Sequence, residues 1–229
     1  MINYLPLHIY IVFYIAVVAC VLFLLYAIRK VSPKVATITA VFLALWMSLQ
    51  RQLSINGFYL KTNTLPPRFI FAVGPMFLAI IALMVFKRDF LARLPLLPLT
   101  LLHVVRIPVE LVLLWLFQYG LVPELMTFGG RNFDILSGVT APVIAWLAFH
   151  HGKVERKLLL VWNVIALGLL INIVVHAILS LPYPMQKLAF DQPNQAVLYF
   201  PFIWLPSVIV TIVLFSHVVS IWRLTTEEQ

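Results

Sequence analysis

Apolar and polar positions alternate along this chain on a long scale, giving seven apolar runs separated by short polar breaks. The runs extend from His8 to Ile28, Val35 to Ile55, Phe69 to Phe86, Pro98 to Tyr119, Phe133 to Phe149, Leu158 to Leu181 and Ala196 to Trp222. Each is close to the ~20 residues a helix needs to cross a bilayer. Only helices and closed barrels satisfy their backbone in lipid, and these runs lack the ten-residue alternation of barrel strands. The pattern therefore predicts an all-α integral membrane protein with seven transmembrane helices in one polytopic domain spanning residues 1–229. The breaks carry the residues that end helices: Ser32-Pro33, Gly57 with Pro66-Pro67, Pro95, Pro123 with Gly129-Gly130, and the proline- and amide-rich stretch from Pro182 to Gln195.

Composition strengthens this reading. Hydrophobic residues make up 63% of the chain and charged residues 10%, where a soluble domain has roughly a quarter charged. The formal net charge of +8 does not indicate a nucleic-acid partner, because the Lys and Arg residues sit in short clusters between apolar runs, and the partner expected is the lipid bilayer. The breaks after the odd-numbered runs hold Arg29, Lys30 and Lys34, then Lys87, Arg88 and Arg93, then Lys153, Arg156 and Lys157, and finally Arg223. The opposite side holds Arg51, Lys61, Arg68, Arg131 and Lys187. Short loops richer in Lys and Arg stay in the cytoplasm, which places the N-terminus outside and the C-terminus inside the cell (inner) membrane. Tyr26 and Trp222 on the inner side, and Tyr59, Tyr119, Tyr183 and Tyr199 on the outer, fit an aromatic belt. The first run has neither a basic region ahead of it nor a small-residue cleavage site, so it reads as a retained span. Cys20, the single cysteine, excludes an internal disulfide or a cysteine-based metal cluster.

The fourth run carries the expensive residues. At about 100° per residue, His103, Arg106 and Glu110 fall on one face of the helix. An unpaired charge at mid-membrane costs on the order of 2.5–3.5 kcal/mol or more, so this face must look at protein or water. Arg106 and Glu110 stand four apart and are in reach of each other. Pro108 lies between them and predicts a kink. Two roles fit equally: a ligand or proton site, with Arg106 gripping an anionic group and Glu110 titrating, or a self-satisfied ion pair that fixes packing.

A second polar set gathers at the outer ends of the runs. It comprises Gln50 and Arg51 in the second, Asn172 and His176 in the sixth, and Asn132 and Asp134 where the fifth begins. These residues suggest an outward-facing vestibule leading toward Glu110. Behind Gly129-Gly130, the start of the fifth run either presents free N–H groups to an anion or is capped by Asn132 or Asp134, with the cap favoured. The small-residue run Ser137 to Pro142 lets a neighbouring helix approach closely.

The sequence thus points first to a small transporter or ligand-binding membrane protein with a small anionic ligand. No protein-bound cofactor or metal is expected in that reading, and homo-oligomerisation is left open. A second reading has haem held by His103 with His217 and by His8 with His176. A third is an enzyme acting on a lipid or quinone head group through His176, Asp134 and Glu110, and a structural subunit is the fallback. The chain contains no HExxH, no G-x-S-x-G and no glycine-rich phosphate loop. No lysine lies within an apolar run to form a retinal Schiff base.

Overall fold

The computed structural model describes residues 2, 4–150 and 154–226, and every regular element among them is helical. His151 and Lys153 of the break after the fifth run lie outside the described residues. The elements are α1 (Leu7–Val31), α2 (Pro33–Ile55), α3 (Ile70–Phe86), α4 (Arg88–Ala92), α5 (Leu96–Leu101), α6 (Arg106–Gln118), α7 (Ile135–Phe149), α8 (Arg156–Leu179) and α9 (Val210–Thr226). The Ser32-Pro33 joint behaves as its residues dictate. Ser32 is extended, its side chain accepts from the Val35 N–H, and Pro33 opens α2 where a missing donor costs nothing.

Five helical stretches are long and apolar enough to cross a membrane: Leu7–Val31, Pro33–Ile55, Leu96–Gln118, Arg156–Leu179 and Leu205–Thr226. The outward faces of these stretches, and of the shorter α3 and α7, are bare hydrocarbon. Leu22, Leu45, Leu78, Trp146 and Ile165 are each more than half exposed, an apolar surface that water would not tolerate and lipid would. The chain is a membrane protein. The two shorter apolar helices, α3 and α7, have 17 and 15 residues. At ~1.5 Å per residue they fall short of a hydrocarbon layer ~30 Å thick.

Two runs depart from the uniform helices expected of them. The fourth is a helix in two parts, with a 3₁₀ turn at Leu102–Val105 joining α5 to α6. Pro108 then falls in the first turn of α6, where backbone N–H groups have no partner within the helix. The tightened turn replaces a simple kink. The seventh run is long and apolar enough to cross only as the helical stretch from Leu205. Residues 196–204 form a 3₁₀ turn and an irregular stretch instead, and a π turn at Leu205–Ile209 leads into α9. Pro201 and Pro206 withhold the donors that a continuous helix needs. This segment folds over the end of the bundle, with Phe202 packed on the rings of Tyr10 and Phe13 in α1 at 5.6 and 5.1 Å.

α9 and the α5–α6 stretch form the middle of the bundle. α9 packs on α1, α3, α5 and α8, while α1 and α7 flank α5–α6. α2 lies on α1 and is tied to the π turn by two crossing tryptophans. Trp46 Nε1 donates to the Ser207 carbonyl and Trp204 Nε1 to the Met47 carbonyl, both at 3.0 Å. At the end where α9 finishes, Arg156 Nη2 donates to the carbonyls of Arg223 and Leu224, and Arg223 Nη1 donates to the Leu94 carbonyl. Basic groups there complement the negative end of the helix dipole as well as marking a side.

The aromatic-belt assignment is corrected at two tyrosines. Tyr59 and Tyr183 are buried. The Tyr183 hydroxyl donates to the Tyr59 carbonyl at 2.8 Å, and the Tyr59 hydroxyl donates to Gln50 Oε1 at 2.5 Å. Burial pushes the Tyr59 phenol above its ordinary range and so keeps it a donor. Tyr119, by contrast, is exposed.

α7 meets the α5–α6 joint through Gly138. A Cβ there would sit 3.0 Å from Ile107 Cγ1, 3.1 Å from Ile107 N and 3.2 Å from Arg106 Cβ. A branched side chain would force α7 away, at a cost of about 1–3 kcal/mol typical of overpacking. Gly168 in α8 has nothing within 4 Å of the same position. Thermal unfolding in detergent is expected to show a lowered midpoint for Gly138→Val and an unchanged or raised one for Gly168→Ala; equal effects would contradict the close approach.

Candidate functional site

Arg106 begins α6 and is 2% exposed. Its Nη1 lies 2.6 Å from Asp134 Oδ1 and 3.3 Å from the Ala166 carbonyl. Its Nη2 lies 2.7 Å from His217 Nε2. One guanidinium therefore binds the entry to α7, the middle of α8 and the middle of α9. Arginine can only donate, so His217 Nε2 accepts and the ring proton is on Nδ1. That proton goes to Asn163 Oδ1 at 2.9 Å, and Asn163 Nδ2 donates in turn to the Leu159 carbonyl. Spacing had put Glu110 within reach of Arg106. The ion pair instead forms with a residue 28 positions away. Glu110 Oε1 accepts from Asn132 Nδ2 at 2.6 Å, and Glu110 Oε2 has no partner among the described residues.

The loop before α7 makes this arrangement possible. Asn132 Nδ2 also donates to the Met126 carbonyl, and its Oδ1 accepts the Asp134 N–H. The segment closes tightly on itself, through Gly130 N to the Thr127 carbonyl and Arg131 N to the Leu125 carbonyl. A Cβ at Gly130 would collide with the backbone of Glu124 and Leu125, so glycine serves close approach there and not an anion cradle. The capping expectation is corrected as well. Asp134 stands at the N-cap position of α7, but its side chain makes no cap bond because its carboxylate is on Arg106. α7 is short because its first turn starts level with Arg106. Irregular backbone at that depth is tolerated because protein covers it.

The nine sequence-predicted site residues separate into two groups. Arg106, Glu110, Asn132 and Asp134 form the hydrogen-bonded cluster, with His103 stacked on the His217 ring, centroids 4.1 Å apart at an interplanar angle of 19°. Neither His103 nitrogen has a partner among the described residues. The other four serve the scaffold. Gln50 joins Tyr59 to the Phe71 carbonyl, and Arg51 lies 5.4 Å over the Phe200 ring. Asn172 donates to the Arg131 carbonyl, and His176 bonds the carbonyl of Asn172. The acid–base trio of His176, Asp134 and Glu110 is not brought to one cavity. His103 lying flat on His217 leaves no macrocycle-wide gap between the two rings, and His8 packs edge-on against Trp115.

An apolar cleft reaches the cluster. Val73 and Phe77 of α3, Leu113 of α6, Ile173 of α8, and Ile209 and Val213 of the last span line it. Arg106, Glu110, Asp134 and Asn194 are its polar lining. It has about 870 Å³ of unfilled space including an open mouth, of which about 120 Å³ is wide enough for a water molecule. It is narrow, and hydrocarbon forms most of its wall. The outward polar vestibule expected from the sequence is replaced by this slot between α3 and α8, both of which pack on α9.

A family model described as Domain of unknown function (DUF8737) matches residues 69–225. The chain belongs to that family. The matched stretch holds His103, Arg106, Glu110, Asn132, Asp134, Asn163 and His217, so the whole polar cluster and the cleft lie inside the family's own segment, while α1 and α2 precede it. No curated protein and no solved structure matches the chain.

Asn163 was the signal the sequence offered and that polar-end reasoning passed over. It is an amide well inside an apolar run, and an amide there needs a partner as Arg106 does. The cleft walls had no such signal, because a Val or Ile facing a slot reads the same as one facing lipid.

Proposed function

We propose that this chain is a seven-crossing protein of the cell (inner) membrane, N-terminus outside and C-terminus cytoplasmic, that binds and transports a molecule with an apolar body and a polar head. The observation that carries the reading is the cleft: a narrow hydrocarbon-walled slot that ends on two buried acids and an arginine. Binding sites of this kind are mostly apolar with a few convergent polar groups. A purely structural ion pair would need no void beside it. The slot lies between α3 and α8, whose outer faces carry exposed Leu78, Ile81, Ile171 and Val175. A ligand dissolved in the bilayer can therefore enter from the side. The head rests where Arg106, Glu110 and Asp134 line the slot.

Seven crossings are supported by the two short helices. α7 is preceded by a covered loop that adds length its helix lacks, and α3 ends at the Lys87-Arg88 pair that marks an interface. The orientation rests on the excess of Lys and Arg in the breaks after odd-numbered spans.

Orientation can be read with single cysteines, since Cys20 is the only native thiol and is buried. In a Cys20→Ala background, a membrane-impermeant maleimide is expected to label Lys61→Cys on intact cells, and Arg88→Cys only after permeabilisation. The reverse pattern would invert the topology.

Occupancy of the cleft can be tested with a photoactivatable alkyl diazirine in native membranes. Adducts are expected on Val174, Ile209 and Val213, and a slot-filling Ile173→Trp substitution should remove most of them while leaving adducts on outward Leu78 and Ile165. Adducts confined to outward faces in the unaltered protein would sink the reading.

A further inference from the structure

We infer that the ligand carries a positively charged, hydrogen-bond-donating head, an ammonium on an alkyl or similarly slender apolar body, and that Glu110 is the group that receives it. This rests on the cleft being a binding site, and it reverses the sign of ligand charge expected from Arg106 alone.

Three of the five N–H groups of Arg106 are engaged within the protein. Its Nη1 donates to Asp134 and the Ala166 carbonyl, and its Nη2 to His217. Both terminal nitrogens therefore already have a partner within the protein. Of its five N–H groups, the Nε–H and one Nη2–H are left without an acceptor among the described residues, so what argues against an anion here is the balance of charge and not a lack of donors. The charge of Arg106 is already matched by Asp134 at 2.6 Å.

Glu110 is the acid left over. It is 2% exposed, it lines the cleft, and its Oε2 has no partner among the described residues. Its other oxygen is held by Asn132, a neutral amide that fixes the side chain without offsetting its charge. Arg106 is the only basic side chain lining the cleft among the described residues. Formal charges in the cleft thus amount to one arginine against two acids. An anion brought to this site would add a like charge in a low-dielectric wall, while an ammonium would neutralise the odd carboxylate and give Oε2 the donor it lacks. The neighbouring histidines do not alter the count, since neither lines the cleft and Arg106 holds His217 as a neutral acceptor. The narrowness of the slot selects a slender tail.

The test is displacement of the alkyl diazirine adducts in native membranes by three competitors of equal chain length, decylamine, decanol and decanoate, compared at equal membrane concentration. Decylamine is expected to displace cleft adducts about tenfold more effectively than either other compound, the margin between a charge-assisted and a neutral hydrogen bond. Glu110→Gln keeps the shape and should level the three while cleft labelling persists. Equal displacement by all three in the unaltered protein, stronger displacement by decanoate, or a decylamine preference that survives Glu110→Gln would overturn the head-group assignment and leave the cleft as an apolar site. If no competitor displaces the adducts, the cleft is not a binding site and both readings fall.

Discussion

A guanidinium held in hydrocarbon must find its counter-charge and hydrogen-bond partners within the protein, and this bundle is arranged around doing that for Arg106. The local geometry offers Glu110 one turn away, yet the partner recruited is Asp134, brought in from the far end of a 16-residue connection between α6 and α7. Drawing Asp134 to that depth dictates much else. α7 starts level with Arg106 and is short, the preceding loop folds in and covers its own backbone through Asn132, and Gly130 lets the loop close. Gly138 lets α7 lie against the α5–α6 joint, and His217 and Asn163 carry the network on into α9 and α8. Desolvation makes each of these bonds consequential, because an orphaned polar group at this depth has no water to turn to.

The helices were legible because hydrophobic run length and Pro or Gly punctuation are local properties. Ser32-Pro33 shows how directly residue type becomes a joint. Depth of burial for Arg106 and Glu110 followed from the same local reading, since charge in a long apolar run has one tolerable orientation. Partners were not legible. Arg106 pairing with Asp134 rather than Glu110 is decided by how α7 docks, a long-range matter that i, i+4 spacing cannot express. Residues 196–204 misled for a related reason: an apolar stretch folded across the bundle end has the composition of one that crosses. Tyr59 and Tyr183 were assigned to an interface by their position in loops, whereas those loops fold inward and bury them. Gln50, Arg51, Asn172 and His176 sit at the polar end as expected, but each has been taken up in holding the irregular segments of that end together.

The structural use of Arg106 and the functional reading of the cleft are complementary. A self-contained Arg106–Asp134 pair, anchored to three helices, is a rigid floor, and rigid floors are what binding sites require. Glu110 stands beside that floor and lines the slot, with one oxygen held and the other without a partner among the described residues. In the proposed reading the two acids divide the labour, Asp134 neutralising the protein's own cation and Glu110 left for the ligand. The family segment begins where α3 begins to line the slot and ends within α9. It therefore holds the complete site, with α1 and α2 set against it as packing partners.

The central claim is that Arg106 and Asp134 are coupled at depth, and a double-mutant cycle on Arg106→Leu and Asp134→Leu, read by unfolding in mixed micelles, addresses it directly. Removing either partner strands the other, and each single variant is expected to lose about 3–5 kcal/mol, with the double variant losing far less than the sum. Losses that simply add, to within ~0.5 kcal/mol, would mean that the two side chains do not sense each other and that the bundle is organised around something else.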